Sequence, residues 1–277
     1  MKPAQRSTLC IIALNRPSLK QCSAIFIRFS SSNSRWKQRQ SKDAYAREAK
    51  VQGLKSRAAF KLLEMDAKYR LFKPKSVVVD LGYAPGSWSQ VALDRTRPGG
   101  KVIGIDLIPA EPPKGVATFQ GDFLSPDVQR MVKDFIHQTV RLSSRQDKVQ
   151  ESIPASNHQP SYIDVGLHAP AAVVNPSKAP MVDVVLSDML MNTSGVPFRD
   201  HAGSMDLCNA ALLFAEQTLK AGGHFVCKFY QGSEDNLLEQ RLRNMFSKVY
   251  REKPESSRNE SKEAFFVGLR RKASASG

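Results

Sequence analysis

The chain has 277 residues, 41% of them hydrophobic, enough to bury the core of one large domain or two small ones. Its formal net charge of +15 favours a polyanionic partner, with nucleic acid the first candidate. No run approaches the roughly 18 apolar residues of a membrane span, so no membrane partner is expected. The cysteines, Cys10, Cys22, Cys208 and Cys227, make no C-x-x-C, and no metal site is expected.

The first 42 residues hold nine Lys/Arg and no Asp or Glu. Residues 1–32 are Arg-rich, Ser-rich and acid-poor, the pattern of a mitochondrial transit peptide, and Arg28-Phe29-Ser30-Ser31 resembles a matrix-processing site. The expected location is the mitochondrial matrix. Removing residues 1–29 leaves a charge of +10, so the basic character does not depend on the leader.

Residues 33–50 are polar and strongly charged. Apolar spacing predicts a helix over Leu54–Tyr69, with Lys55, Arg57 and Lys61 among its bases. Such charges ordinarily mark a solvated helix face. Val77–Asp80 reads as a buried strand, and Gly82 and Gly86 open a turn into a helix over Trp88–Arg95. Strands follow at Lys101–Asp106 and Val116–Gln120, then a helix at Asp127–Thr139. Residues 140–180 are rich in Ser, Pro, Gln and Asn, with five prolines from Pro154 to Pro180. Structureless loops beyond about 15 residues are usually disordered or functional, so a disordered insertion is expected there. Beyond it come a strand at Met181–Ser187, a helix at Asp206–Leu219 stopped by Ala221-Gly222-Gly223, and a strand at Gly223–Phe229. A helix at Asn236–Phe246 and a strand at Ala264–Leu269 complete the pattern. This alternation predicts an α/β, Rossmann-like sheet with helices on both faces.

The run VVVDLGYAPGSWSQ over residues 77–90 is a strand, a Gly-containing turn and a helix start, a geometry that brings backbone N–H groups close to a ligand. Ala84 stands where a dinucleotide fingerprint needs its second Gly, and Gly86 is followed by Ser87-Trp88 rather than Lys-Ser/Thr. Ligands of open α/β sheets sit beyond the carboxyl ends of the strands. Asp80, Asp106, Asp122 and Asp188 all fall at such ends. An acid after the second strand suits ribose hydroxyls, and one after the third suits an adenine amino group. With Gly82, Gly86 and Trp88 they suit S-adenosyl-L-methionine, which carries no phosphate. Lys228 lies inside the apolar strand Phe225–Phe229. A snorkelling or edge-strand lysine is the ordinary reading; a lysine in a partly dry cleft can instead serve as a general base. Glu263 reads as a strand-start charge.

From Ser34 to Lys272, apart from residues 140–180, the chain resembles the FtsJ/RrmJ group of S-adenosylmethionine-dependent RNA 2′-O-ribose methyltransferases. The landmarks are SRWKQRQ, GLKSRAAFKL, VVVDLGYAPGSWSQ, IDLIP, QGDF, LSDM, AGGHFVCKFYQG and KPESSRNESKEAFFVG. The resemblance implies a single seven-stranded sheet over 33–272, a tail at 273–277, and a K-D-K-E tetrad at Lys61, Asp188, Lys228 and Glu263. It implies cofactor contacts at Gly82, Pro85, Gly86, Ser87, Trp88, Asp106, Asp122 and Asp188. With the leader, it implies action as a monomer on a uridine of mitochondrial large-subunit rRNA or a pre-ribosomal particle. A tRNA substrate, or a non-catalytic role in ribosome assembly, is the alternative. RNA contacts are expected from Arg35, Lys37, Lys55 and Arg57. Two departures stand out. Tyr83 and Ser87 replace small residues of the family loop, with Tyr83 expected to narrow the cofactor pocket. Leu190-Met191 alters the segment after Asp188.

Overall fold

A computed structural model describes residues 43–150 and 180–273. The leader, Arg35, Lys37, residues 151–179 and the tail beyond Ala273 lie outside the described residues.

The described elements are α1 (Ala44–Val51), α2 (Ala58–Tyr69), β1 (Val77–Leu81), α3 (Ser87–Arg95), β2 (Lys101–Asp106) and β3 (Val116–Gln120). After them come α4 (Pro126–Gln150), β4 (Val182–Ser187), α5 (Pro197–Thr218), β5 (Leu219–Tyr230), α6 (Asp235–Met245), β6 (Phe246–Glu252) and β7 (Glu263–Arg271). They form one seven-stranded sheet in the order β3-β2-β1-β4-β5-β7-β6. Neighbours from β3 through β5 are parallel, and β7 runs antiparallel between β5 and β6.

Both faces of the sheet are covered, which is why the central strands read as near-continuous apolar runs. Val79, Leu81, Ile103, Val185 and Phe225 face α4, α5 and α6. Val78, Val102, Val184 and Val226 face α2 and α3 through Leu62, Met65, Trp88 and Val91. Phe229 and Phe266 stack across β5 and β7 with ring centroids 4.1 Å apart.

Several boundaries differ from the pattern reading. Helix α1 falls in a segment read only as polar: it buries Ala49 alone, and its start is fixed by the Asp43 carboxylate accepting from the Ala46 amide at 3.2 Å. Helix α2 starts at Ala58, which leaves Lys55 and Arg57 before its first turn. Helix α4 runs to Gln150, so the first part of the segment expected to be structureless is helical. No Gly or Pro interrupts the chain between Pro126 and Pro154, and a polar helix surface resembles a loop in composition. Helix α5 begins at Pro197, nine residues before the expected start. Asp200 holds its approach by accepting from the Ser194 and Gly195 amides. Residues 221–223 do not precede β5 but lie within it, at an irregular register opposite Val182–Val184. Strand β6 matches no apolar run, because an edge strand turns only Phe246 and Val249 toward the core.

Strands β1, β2 and β4 are adjacent, so their carboxyl ends bring Asp80, Asp106 and Asp188 together. Asp80 is fully buried; its Oδ2 accepts from Ser89 Oγ at 2.6 Å and its Oδ1 has no hydrogen-bond partner. Burial first, with the charges of Asp188 and Asp106 adding to it and the Ser89 bond opposing it, pushes the Asp80 carboxyl up to about 7.

The folded state therefore holds a proton on Asp80 at pH values where the unfolded chain has released it. This stabilisation is complete below the ordinary value of 3.8 and is lost as pH rises through about 7. Asp80→Asn should gain stability over the parent by up to a few kcal/mol between about pH 4 and 8. Urea unfolding of both proteins across that range measures it, and parallel pH profiles would disprove the burial argument. Phe266→Ala should cost about 3–5 kcal/mol in the same assay.

Candidate active site

The antiparallel pairing of β5 with β7 sets Lys228 opposite Phe265 and Tyr230 opposite Glu263. Paired residues share a face, and so do residues two apart along a strand. Lys228, Tyr230, Glu263 and Phe265 thus line the face covered by α2. Lys61, on the first turn of α2, reaches down to this face. Its Nζ lies 2.5 Å from Glu263 Oε1 and 5.6 Å from the centre of the Phe265 ring. Lys228 Nζ lies 3.0 Å from Asp188 Oδ1 and donates to the Asp188 carbonyl at 2.7 Å. The four residues predicted as a tetrad therefore form two ion pairs beside one another.

Both pairs are largely shielded from water, with Lys228 only 8% and Lys61 12% exposed at the side chain. Lys228 is not on an edge strand, since β5 lies between β4 and β7. Burial favours the neutral form of Glu263, but the positive charges of Lys61 and Lys228 outweigh it and hold this carboxyl below its ordinary value. Helix α5 packs behind the site, where Cys208 Sγ donates to the Lys228 carbonyl at 3.1 Å. Cys208 and Cys227 are both buried free thiols.

A cleft of about 260 Å³ opens beside Lys61 and Glu263 and is bordered by Ser56, Arg57, Arg258 and Ser261. Asp43 accepts from both guanidinium groups, from Arg258 at 3.2 Å and from Arg57 in a close contact. Arg57 also donates to the Ser256 carbonyl. Burial disfavours the charged form of Asp43, yet the two arginines and the Ala46 amide keep its carboxyl below the ordinary value. Lys55 is placed differently: its ammonium donates to the Glu111 carbonyl at 2.6 Å.

The strand-end acids lie on the other side of Asp188. Asp106 accepts from the Ala84 amide and from the Ile108 amide, each at 2.9 Å. Asp122 is exposed and accepts from the Leu124 amide at 2.9 Å. Leu107, Ile108 and Leu124 are exposed apolar side chains next to these two acids. Gly82 adopts φ +78°, and a Cβ there would come within 2.9 Å of the Met189 backbone, so glycine lets the loops after β1 and β4 touch. Gly86 also adopts a positive φ, of +105°, at the start of α3, directly after Pro85.

Ser87 and Trp88 are buried. Ser87 Oγ bonds Ser56 Oγ at 2.7 Å, and Trp88 Nε1 donates to the Ala58 carbonyl at 2.8 Å, so both lock α3 to the start of α2. Tyr83 does not narrow a pocket: its ring is buried over Gly104 and its hydroxyl donates to the Ala110 carbonyl at 2.7 Å.

These residues fit S-adenosylmethionine. The carboxylates of Asp106, Asp122 and Asp188 are acceptors, matched to ribose hydroxyls, amino groups and a cationic sulfur. The exposed leucines and isoleucine offer an apolar bed for a purine. Among the described residues, no group of His, Cys, Asp or Glu is arranged to hold a metal ion, and no helix is long and apolar enough to cross a membrane.

Sequence reasoning missed three residues here. Asp43 carried no motif, and its role exists only because Arg57 and Arg258, far apart in the chain, meet at it. Tyr230 lies one residue beyond the strand expected at Gly223–Phe229. Its phenol is pushed up by burial and by the charges of Glu263 and Asp200, which marks it as a neighbour of the tetrad. His201 ties α5 to the loop after β5 by bonding the Tyr230 carbonyl at 2.7 Å and accepting from the Glu234 amide at 3.0 Å.

Residues 54–271 match the family described as FtsJ-like methyltransferase. The chain is 37% identical to "rRNA methyltransferase 2, mitochondrial" of Saccharomyces cerevisiae over 90% of its own length and 91% of the relative's. It is 40% identical to the protein of the same name from Schizosaccharomyces pombe, covering 86% of this chain and 95% of that one. Among solved structures it is similar to one described as a ribosomal RNA methyltransferase from Plasmodium falciparum. The TM-score is 0.58 and the identity 28%, over 79% of this chain and 99% of the other. The chain belongs to the FtsJ-like methyltransferases, a family whose methyl donor is S-adenosylmethionine.

Proposed function

We propose that the protein methylates the ribose 2′-hydroxyl of a uridine in mitochondrial large-subunit rRNA, acting as a monomer in the matrix on the rRNA or a pre-ribosomal particle. The observation that carries this reading is the pair of lysine–carboxylate contacts on one sheet face, set between a basic cleft and a row of acids. The names of the fungal relatives support rRNA as the substrate and the mitochondrion as the location. The basic, acid-poor leader supports import.

In this reading Asp106, Asp122 and Asp188 hold the cofactor through its ribose and amino groups, with Gly82, Pro85 and Gly86 shaping the loop beneath it. Ser87 and Trp88 act on the cofactor only through the position of α3. When bound, S-adenosylmethionine supplies an electrophilic methyl group to the ribose oxygen and departs as S-adenosylhomocysteine. Lys228 serves as the general base for the 2′-hydroxyl proton. Asp188 holds the Lys228 amine by contacts at 3.0 and 2.7 Å, which fixes its direction. Lys61, held by Glu263, orients the hydroxyl from the other side. Positioning of the two substrates against each other supplies much of the rate. Arg57 and Arg258 at the mouth of the cleft face the phosphates flanking the target ribose, whereas Lys55 is held on the Glu111 carbonyl.

Lys228→Ala is expected to lose methyl transfer by at least about 10²-fold, the scale of a lost general base, while S-adenosylhomocysteine still binds. Turnover near the parent level would remove Lys228 from the mechanism. Mapping 2′-O-methyls in mitochondrial rRNA from cells lacking the protein should show one missing uridine methyl, restored by the parent and not by Lys228→Ala. Restoration of ribosome assembly by Lys228→Ala without the methyl would instead favour a non-catalytic assembly role, and a lost tRNA methyl would favour the tRNA substrate. Arg258→Ala should weaken RNA binding and flatten the log–log salt dependence by about one unit of slope. An unchanged slope would place the RNA elsewhere.

A further inference from the structure

The segment joining β2 to β3, residues 107–115, follows Asp106 and forms one wall of the acid-lined side of the site. It has few contacts of its own: Leu107 and Ile108 are exposed, and Gly115 adopts φ +90°. Its course is set by ties to other elements. Lys55 donates to the Glu111 carbonyl at 2.6 Å. Pro113 sits against Gly86 so closely that a Cβ on Gly86 would lie 2.9 Å from its ring. The third tie is Tyr83, whose hydroxyl donates to the Ala110 carbonyl at 2.7 Å.

Tyr83 lies in the loop after β1 and packs on β2 beneath this segment. Its ring fills the space over Gly104, where an added Cβ would come within 2.8 Å of the ring's Cγ. Its amide reaches the Ile105 carbonyl at 3.3 Å, and the next amide, that of Ala84, donates to Asp106 Oδ2 at 2.9 Å. One side chain therefore fixes the distance between the loop after β1 and the loop after β2. Asp106 is bonded to both of these loops, through Ala84 and Ile108. The ring and the missing Cβ of Gly104 are complementary: each occupies the room the other leaves.

We infer that Tyr83 is a positioning residue for the methyl donor, setting the orientation of Asp106 and the exposed Leu107–Ile108 surface through its bond to Ala110. This rests on the reading of Asp106 as a cofactor contact. Tyr83 acts on the affinity for the donor and not on proton transfer at Lys228, because its contacts lie on β2 and the loop after it, away from β5. A phenol in this place converts a glycine-shaped turn into a braced one, at the cost of requiring glycine at position 104.

The test is S-adenosylhomocysteine binding by titration calorimetry, with steady-state turnover on RNA. Tyr83→Phe keeps the ring and removes only the bond. It should raise Kd about 3- to 10-fold, the worth of one hydrogen bond, and leave kcat at saturating donor within about twofold. In the ligand-free protein the Ile108 amide should exchange faster in Tyr83→Phe than in the parent. Tyr83→Ala and Gly104→Ala should each weaken binding further. The double variant Tyr83→Ala/Gly104→Ala should lose less than the two losses combined, because the new methyl enters the space the ring vacates. Parent-like Kd and exchange in Tyr83→Phe, or a fall in kcat at unchanged Kd, would overturn the inference. Asp106→Ala separates the two readings. Loss of binding there with parent-like Tyr83→Phe sinks this inference alone; parent-like binding in Asp106→Ala sinks the cofactor reading and takes this inference with it.

Discussion

Strand β7 enters the sheet against the direction of its neighbours, and the chemistry of the site depends on that reversal. Lys228 sits in the buried stretch Phe225–Phe229 of β5, with its side chain 8% exposed. A cation there is costly unless it is paired and hydrogen-bonded. Asp188 meets the need from the end of β4. The antiparallel register of β7 then adds Glu263 two pairs along on the same face. Were β7 parallel, the residue at its start would lie at the far end of the sheet, and Lys61 would lack its carboxylate. Two ion pairs thus stand side by side because one strand runs backwards.

The site is divided by charge. On one side are Asp80, Asp106, Asp122 and Asp188; on the other are Arg57, Arg258 and the cleft at Lys61. A methyl donor carrying a sulfonium and an ammonium suits the first side, and a phosphate chain suits the second. Asp188 and Lys228 stand at the border between the two. Asp43 keeps the basic side ordered by holding two guanidinium groups that would otherwise repel each other. Asp106 and Asp122 are held by backbone amides instead, which leaves their orientation dependent on the loops that carry those amides.

The sheet was largely legible from the chain. Val77–Val79, Lys101–Asp106 and Met181–Ser187 are buried on both faces, so their apolar runs are visible without any partner. What was hidden is what depends on one-sided burial. Strand β6 shows only Phe246 and Val249 to the core, and α1 shows only Ala49. The beginning of α5 is set by Asp200 closing on Ser194 and Gly195, a contact with no apolar signature. Of the four residues expected as a tetrad, Lys228 stood out by type, as a lysine inside an apolar strand; Lys61 and Glu263 read as ordinary charges and were picked out by the family resemblance. The functions of Trp88 and Ser87 were not, because a buried aromatic after a glycine turn looks the same whether it faces a ligand or a helix.

The sequence by itself determined the fold class, the strand-end acids and the lysine within an apolar strand, since these rest on local periodicity and residue chemistry, and its motifs carried the family resemblance. Only the tertiary structure decided which acid serves which lysine, that Asp43 joins Arg57 to Arg258, that Lys55 holds a loop, and that Tyr83 lies over Gly104. Each of those contacts joins segments separated along the chain and brought together by strand order. Strand order follows from how the two faces of the sheet are buried, which no single segment specifies.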